Sequence, residues 1–287
     1  MIEASFIQIE TNNEGCKLLN EDRTPHLAVV AFQTVLASFR RTLDAQLRPE
    51  GNSVRSPSTA SAKLLPLTPA GALVLRDALA FKGGNHLSVD RKWPSRQAVF
   101  LHEKAFAMSS ELSFSHNEKI NYQLHLVVTL FNLGLCFHLM GKQENNAGSS
   151  STRPRGFFQA RALYSQALQL LQECLDNSSC WRQCASSRPQ GTGNELVDLL
   201  LLALLNNTAV VCCIDLGQHS SQHSFNYWNK LDARNVSFVK SFSSFVDALK
   251  DNKQNRLHSF PLGLKQFSRN VHQLNGLFFR GSAAAAA

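Results

Sequence analysis

Apolar residues recur at three- and four-residue steps through most of this chain, the spacing that lines one face of an α-helix. Over 25–47 they are Ala28, Val29, Phe32, Val35, Leu36 and Phe39. Pro25 opens that run, where a first helical turn has no use for its missing N–H. The same spacing predicts a helix over 3–22, with Phe6, Ile9, Cys16 and Leu19 near one face. It predicts another over 119–140, carried by Leu126, Leu130, Leu133, Phe137 and Leu139, with Gly141 as its stop. Further helices are expected over 157–175, 195–216, about 222–249 and about 262–279.

Between these runs the pattern breaks. Residues 49–96 open with Gly51, Ser53, Ser56, Pro57, Ser58, Ser61, Pro66 and Pro69 and read as a flexible insertion. Polar loops are expected at 142–156, KQENNAGSSSTRPRG, and within 176–194. Residues 97–114 alternate in part, which fits a small β-hairpin within 97–118 and fits a helix as well. Ala283–Ala287 reads as an exposed tail.

Three of the expected helices share a motif. Asn13-Glu14-Gly15, Asn132-Leu133-Gly134 and Asn207-Thr208-Ala209 each place an Asn two residues before a small residue, inside an apolar run. Each is followed by a second helix with spaced small and aromatic positions: Ala28, Phe32 and Val35; Ala160, Tyr164 and Ala167; Ser224, Trp228 and Leu231. In the middle unit Gly134 and Ala160 would give the two helices room to approach, with Phe137 and Tyr164 filling the space beside them. A unit of this kind cannot bury its apolar face alone, so it stacks on its neighbours and the stack leaves a concave groove. The division expected is unit 1 at 1–48, unit 2 at 119–175, unit 3 at 195–249, and a C-terminal helix with its tail at 250–287.

This set resembles the tetratricopeptide repeat, in which a small residue, an aromatic three later, a turn Gly and an Ala-x3-aromatic-x2-Ala series mark each helix pair. The middle unit departs from it, because Gly141 and Ala160 are 19 positions apart. The wider layout is similar to a group of tetratricopeptide-like proteins abundant in diatoms. The segments that carry this likeness are FNLGLCFHLMG, LLALLNN, RNVHQLNGLFFRG and the alanine tail, within residues 5–47 and 97–285. The resemblance implies an all-α superhelix, an α-solenoid, that serves as an interaction module. Chaperone-tail-binding repeats also resemble this chain, but they place Asn directly after the small residue of the first helix. Cys16, Leu135 and Val210 stand there instead, which argues against a carboxylate clamp and for an apolar ligand or an internal segment in the groove.

Composition adjusts this picture little. Of 287 residues 44% are hydrophobic, enough for a sizeable core, and 19 Phe dominate the aromatics. The net charge of +8 permits attraction to nucleic acid, yet Arg40-Arg41 is the only adjacent Arg pair. Seven widely spaced cysteines do not form a disulfide framework and suit a reducing, intracellular setting, cytoplasmic or nuclear. The N-terminal stretch has no signal-peptide pattern, and the apolar run Leu199–Leu205 is too short to enter a membrane as a span.

Catalytic and metal motifs are weak. No GxGxxG, GxxxxGK[ST] or GxSxG occurs, so no phosphate cradle or nucleophile elbow is expected. His219-x3-His223 lacks the Glu of a zinc-protease helix, and Cys180-x3-Cys184 has the wrong spacing for a zinc knuckle. No cofactor, metal or enzymatic activity is expected. The amides of Asn12, Asn13, Asn132, Asn206 and Asn207 are the better lead, since a carboxamide offers both donor and acceptor to a peptide backbone. Their bland alternative is satisfaction by a neighbouring helix carbonyl. Helical phase puts Asn12, Cys16, Leu19, Phe131, Leu135, His138, Asn206, Val210 and Cys213 in the groove. The expected role is a non-catalytic scaffold for a protein or peptide. The runner-up is a helical-repeat RNA binder, which should cluster Lys and Arg on the concave face. Lys17 is the only Lys or Arg in 5–20, 126–140 and 199–214.

Overall fold

The computed structural model describes residues 2–47, 101–108, 118–146, 155–176 and 193–219, with short helical pieces at 243–244, 246–247, 267–268 and 271–272. Five helices account for its regular structure: α1 (Ile2–Asn20), α2 (Pro25–Leu47), α3 (Glu118–Asn146), α4 (Arg155–Asp176) and α5 (Gly193–His219). Among the described residues the chain is all-α.

The main packing partners are chain neighbours: α1 with α2, α2 with α3, α3 with α4 and α4 with α5. The link between α1 and α2 is short. Arg23 takes a left-handed backbone, with φ at 55°, and the Thr24 carbonyl accepts from the Leu27 and Ala28 N–H groups in the first turn of α2. The apolar face read from the sequence of α2 is buried along its length, from Ala28 to Phe39. In α4 the buried stripe is Phe157, Ala160, Leu163, Tyr164, Ala167, Leu170 and Leu171. These are the one-sided helices of the fold. By contrast α3 is buried on every side from Leu126 to His138, and α5 from Leu202 to Cys212. A helix apolar all round belongs in the centre of a core.

Small residues set how closely the helices approach. A Cβ on Gly15 would lie 2.7 Å from the Phe32 ring, and one on Gly134 would lie 2.8 Å from the Tyr164 ring. The same contact, small residue against aromatic, thus occurs in α1–α2 and in α3–α4. Gly134 meets Tyr164 and Leu163 as its nearest neighbours, in place of the Ala160 expected from the motif.

Several expectations need correcting. Gly141 does not stop its helix; α3 runs on to Asn146. A Cβ on Gly141 would press on Phe157 at 3.0 Å, and one on Gly156 would strike the Phe137 carbonyl, so these two glycines let the α3 and α4 backbones touch. The polar loop expected at 142–156 is therefore helical at both of its ends. Residues 101–108 form no hairpin and no helix. Their backbone groups find side-chain partners instead, as described below. By length and composition 122–144 is long and apolar enough to cross a membrane, and its apolar window is 83% buried inside this fold. The insertion at 49–96, the helix pair partner around Trp228, His223, Cys180, Cys184 and the alanine tail lie outside the described residues.

Candidate functional site: an amide-lined groove

A carboxamide carries one acceptor oxygen and two donor hydrogens. It can therefore pair with both the N–H and the C=O of a single backbone residue, as a neighbouring β-strand does. Four asparagines do this to the stretch 101–108, which lies along α1, α3 and α5. Asn207 accepts from the His102 N–H at 3.0 Å and donates to its carbonyl at 3.1 Å. Asn20 accepts from Ala105 at 2.9 Å and donates back at 3.4 Å. Asn132 accepts from Phe106 at 2.8 Å and donates back at 2.9 Å. Asn13 makes both bonds to Met108 at 2.7 Å.

The register has a simple geometric basis. Asn13 and Asn20 are seven residues apart on α1, a rise of about 10 Å. Met108 and Ala105 are three residues apart, and a stretched chain covers about 10 Å in that distance. The segment thus descends along α1 against the helix direction. Its end at Met108 borders a small pocket lined by Leu124, Val128, Val197 and Leu200, from the early turns of α3 and α5.

Around the clamps the polar atoms form two networks, one at the Phe106 carbonyl and one at Asn207. The Phe106 carbonyl also accepts from Asn12 at 3.3 Å and from the Cys16 thiol at 3.2 Å. Asn132 donates to Asn12 at 3.2 Å, Asn206 donates to Asn207 at 3.1 Å, and Asn207 donates to the Tyr164 hydroxyl at 3.4 Å. Tyr164 in turn meets His138 Nδ1 at 3.5 Å. Burial pushes the Cys16 thiol up to about 12, so it keeps its proton at neutral pH and acts as a donor rather than a nucleophile.

Aromatic packing fixes the segment's side chains. The Phe106 ring stands edge-on to Phe131 at 5.1 Å and stacks on His102 at 5.4 Å. Phe267 covers the His102 ring at 6.1 Å. Burial, helped by nearby Lys104, lowers the His102 pKa to about 4, so the ring is neutral at neutral pH. At the outer edge Glu103 pairs with Lys142 at 2.6 Å and with Arg23 at 3.7 Å. Lys104 and Ala107 point outward and are exposed.

Of the residues that helical phase put in the groove, Asn12, Cys16 and Phe131 touch the segment. Asn206 stands behind Asn207, and His138 behind Tyr164. Leu19, Leu135 and Val210 are buried core residues. Cys213 lies in α5 beyond the side chains described. The clamps themselves are Asn13, Asn132 and Asn207, the motif asparagines, each one position after Asn12, Phe131 and Asn206. Phase alone missed them by a single residue, and it missed Asn20 altogether. The signal that found three of the four was the repeated Asn two residues before a small residue.

Among the described residues no group of three or more His, Cys, Asp or Glu could hold a metal ion. Comparison with family models, with curated proteins and with solved structures finds no match to this chain.

Proposed function

We propose that this chain is a non-catalytic protein-interaction scaffold whose groove holds a short non-helical polypeptide segment by its backbone. The observation that carries this reading is the set of four two-bond clamps, from Asn13, Asn20, Asn132 and Asn207, on residues 102, 105, 106 and 108. These bonds address main-chain groups that every non-proline residue offers. A wall of this kind suits a polypeptide, whereas phosphate binding calls for Lys and Arg.

The finer architecture belongs to the same proposal: a tetratricopeptide-like superhelix of stacked helix pairs. The matched contacts Gly15–Phe32 and Gly134–Tyr164 support it, as does the use of Asn13, Asn132 and Asn207 in one way by three helices. The buried free thiols of Cys16, Cys136, Cys174 and Cys212 suit a reducing, intracellular setting.

The test is selection of random peptides displayed on phage against the full chain, repeated with Asn207→Ala. Selected peptides should bind with little change between low and moderate salt and should lose about tenfold or more in affinity with the variant, the size of two lost buried hydrogen bonds. Phosphate-driven binding would instead fall roughly 10³-fold or more between 50 and 200 mM salt. A salt slope that steep, with RNA recovered on the purified protein, would overturn the reading in favour of an RNA binder.

A further inference from the structure

The groove is already filled, and its occupant carries information. Position by position, the stretch from Glu103 to Met108 meets distinct chemistry. Glu103 sits against two cations, Lys142 and Arg23. Lys104 and Ala107 face out. Ala105 is buried where Asn20 holds its backbone, which leaves room for a small side chain. Phe106 fills the space between Phe131 and His102, and Met108 meets the apolar walls of α3 and α5.

We propose that residues 101–108 are a built-in occupant, and that a partner enters by displacing them with a segment of the same order: acidic, any, small, aromatic, any, aliphatic. This inference rests on the reading of the groove as a polypeptide site. Two observations favour exchange over permanent closure. The four asparagine clamps bond main-chain groups only, and a competing chain supplies the same groups. The covalent connections are also long enough to let it leave: 53 residues separate Leu47 from Leu101, and nine separate Met108 from Glu118. At about 3.3 Å per residue even the shorter one reaches roughly 30 Å. What favours the chain's own copy is its tether, worth an effective concentration on the order of millimolar. A partner must therefore outbid that concentration, and any weakening of the built-in copy raises the partner's apparent affinity.

The experiment uses the full chain and a fluorescent peptide copying residues 99–110. Binding is followed by anisotropy, and protection of the backbone amides at 102–108 by hydrogen exchange. Three forms are compared: the unaltered chain, Phe106→Ala and Glu103→Lys. The peptide should bind the unaltered chain weakly, about tenfold or more tightly to Phe106→Ala, and about threefold more tightly to Glu103→Lys, a surface ion pair being worth less than a buried ring. A peptide with Asp in place of its Phe should not bind. On binding, the chain's own amides at 102, 105, 106 and 108 should lose protection. If Phe106→Ala loses its helical circular dichroism, Glu103→Lys carries the comparison. The proposal is overturned if the peptide binds none of the folded forms, or binds while those amides stay protected. Should library-selected peptides bind in an Asn207-dependent way while the copy peptide does not, the polypeptide-binding reading stands and the exchange falls.

Discussion

The outer helices α2 and α4 and the inner helices α1, α3 and α5 solve different problems. An outer helix buries one stripe and leaves the rest in water: Val30 is 61% exposed and Phe158 70%, while Phe32 and Tyr164 on the opposite faces are fully buried. Inner helices α3 and α5 are covered on all sides, yet they carry Asn132, Asn206 and Asn207 with no exposed surface. Burying an unpaired amide costs about 1–3 kcal/mol. Asn132 and Asn207 are tolerable because the segment 101–108 supplies their partners, and Asn206 because it donates to Asn207. The outer face is thus held mainly by apolar area, with a few hydrogen bonds such as Gln8 to Ser38 and Tyr122 to the Phe39 carbonyl, and the inner face by apolar area together with a bound backbone. Groove and core are one structure.

The largest effect that tests this contrast lies on the outer side. Phe32→Ala removes a fully buried ring that packs on Gly15 and should cost about 3–5 kcal/mol in denaturant unfolding. A loss below about 1 kcal/mol would mean that α2 is not held by that stripe.

Acid should act on the inner side. Burial, with a smaller effect from Lys142, lowers the His138 pKa to about 3, and burial lowers that of His125 to about 4. The unfolded chain takes up these protons near pH 6.5, and the folded one does so only far below it. Stability is therefore complete above about pH 6.5 and is lost as the pH falls towards the folded values. For His138, with 2% of its surface exposed, the loss by pH 5 is roughly 2 kcal/mol. Melting temperatures measured from pH 7 to 5 should fall, and His138→Gln should flatten the decline. A flat profile in the unaltered chain would remove the neutral buried histidines from the account.

The clamps come next. Asn132→Ala strands the Phe106 N–H in a buried site and should cost about 1–3 kcal/mol, with faster hydrogen exchange at 102–108. Asn20→Ala, at an exposed position where water replaces the amide, should cost less than about 1 kcal/mol. Equal losses would erase the distinction between a buried and a solvated clamp. Smallest is Glu103→Gln: the pair with Lys142 lies at the surface, so the loss should stay within about 1 kcal/mol and shrink with added salt. A loss that salt does not change would assign it to packing instead of charge.

What the sequence determined by itself is local and periodic. A three- and four-residue repeat of apolar positions specifies a helix wherever a neighbour covers it, and Pro25 and the Ala28–Phe39 series placed α2 at 25–47 as observed. Repetition of Asn two residues before a small residue singled out Asn13, Asn132 and Asn207 before any contact was known. Helix ends were less legible: Gly141 has the composition of a stop, but its place opposite Phe157 and Gly156 makes it a spacer inside α3. Only the tertiary structure decided the fate of residues 101–108. Their hydrogen bonds reach partners 26 positions away at Asn132 and 105 away at Asn207, and nothing in an eight-residue pattern specifies those distances. Partial alternation suggested a strand, and the backbone of this stretch does need a hydrogen-bonding partner. That partner proved to be a row of carboxamides, brought together by helices distant in sequence, because a buried N–H and C=O must be paired by whatever donor and acceptor the fold puts within reach.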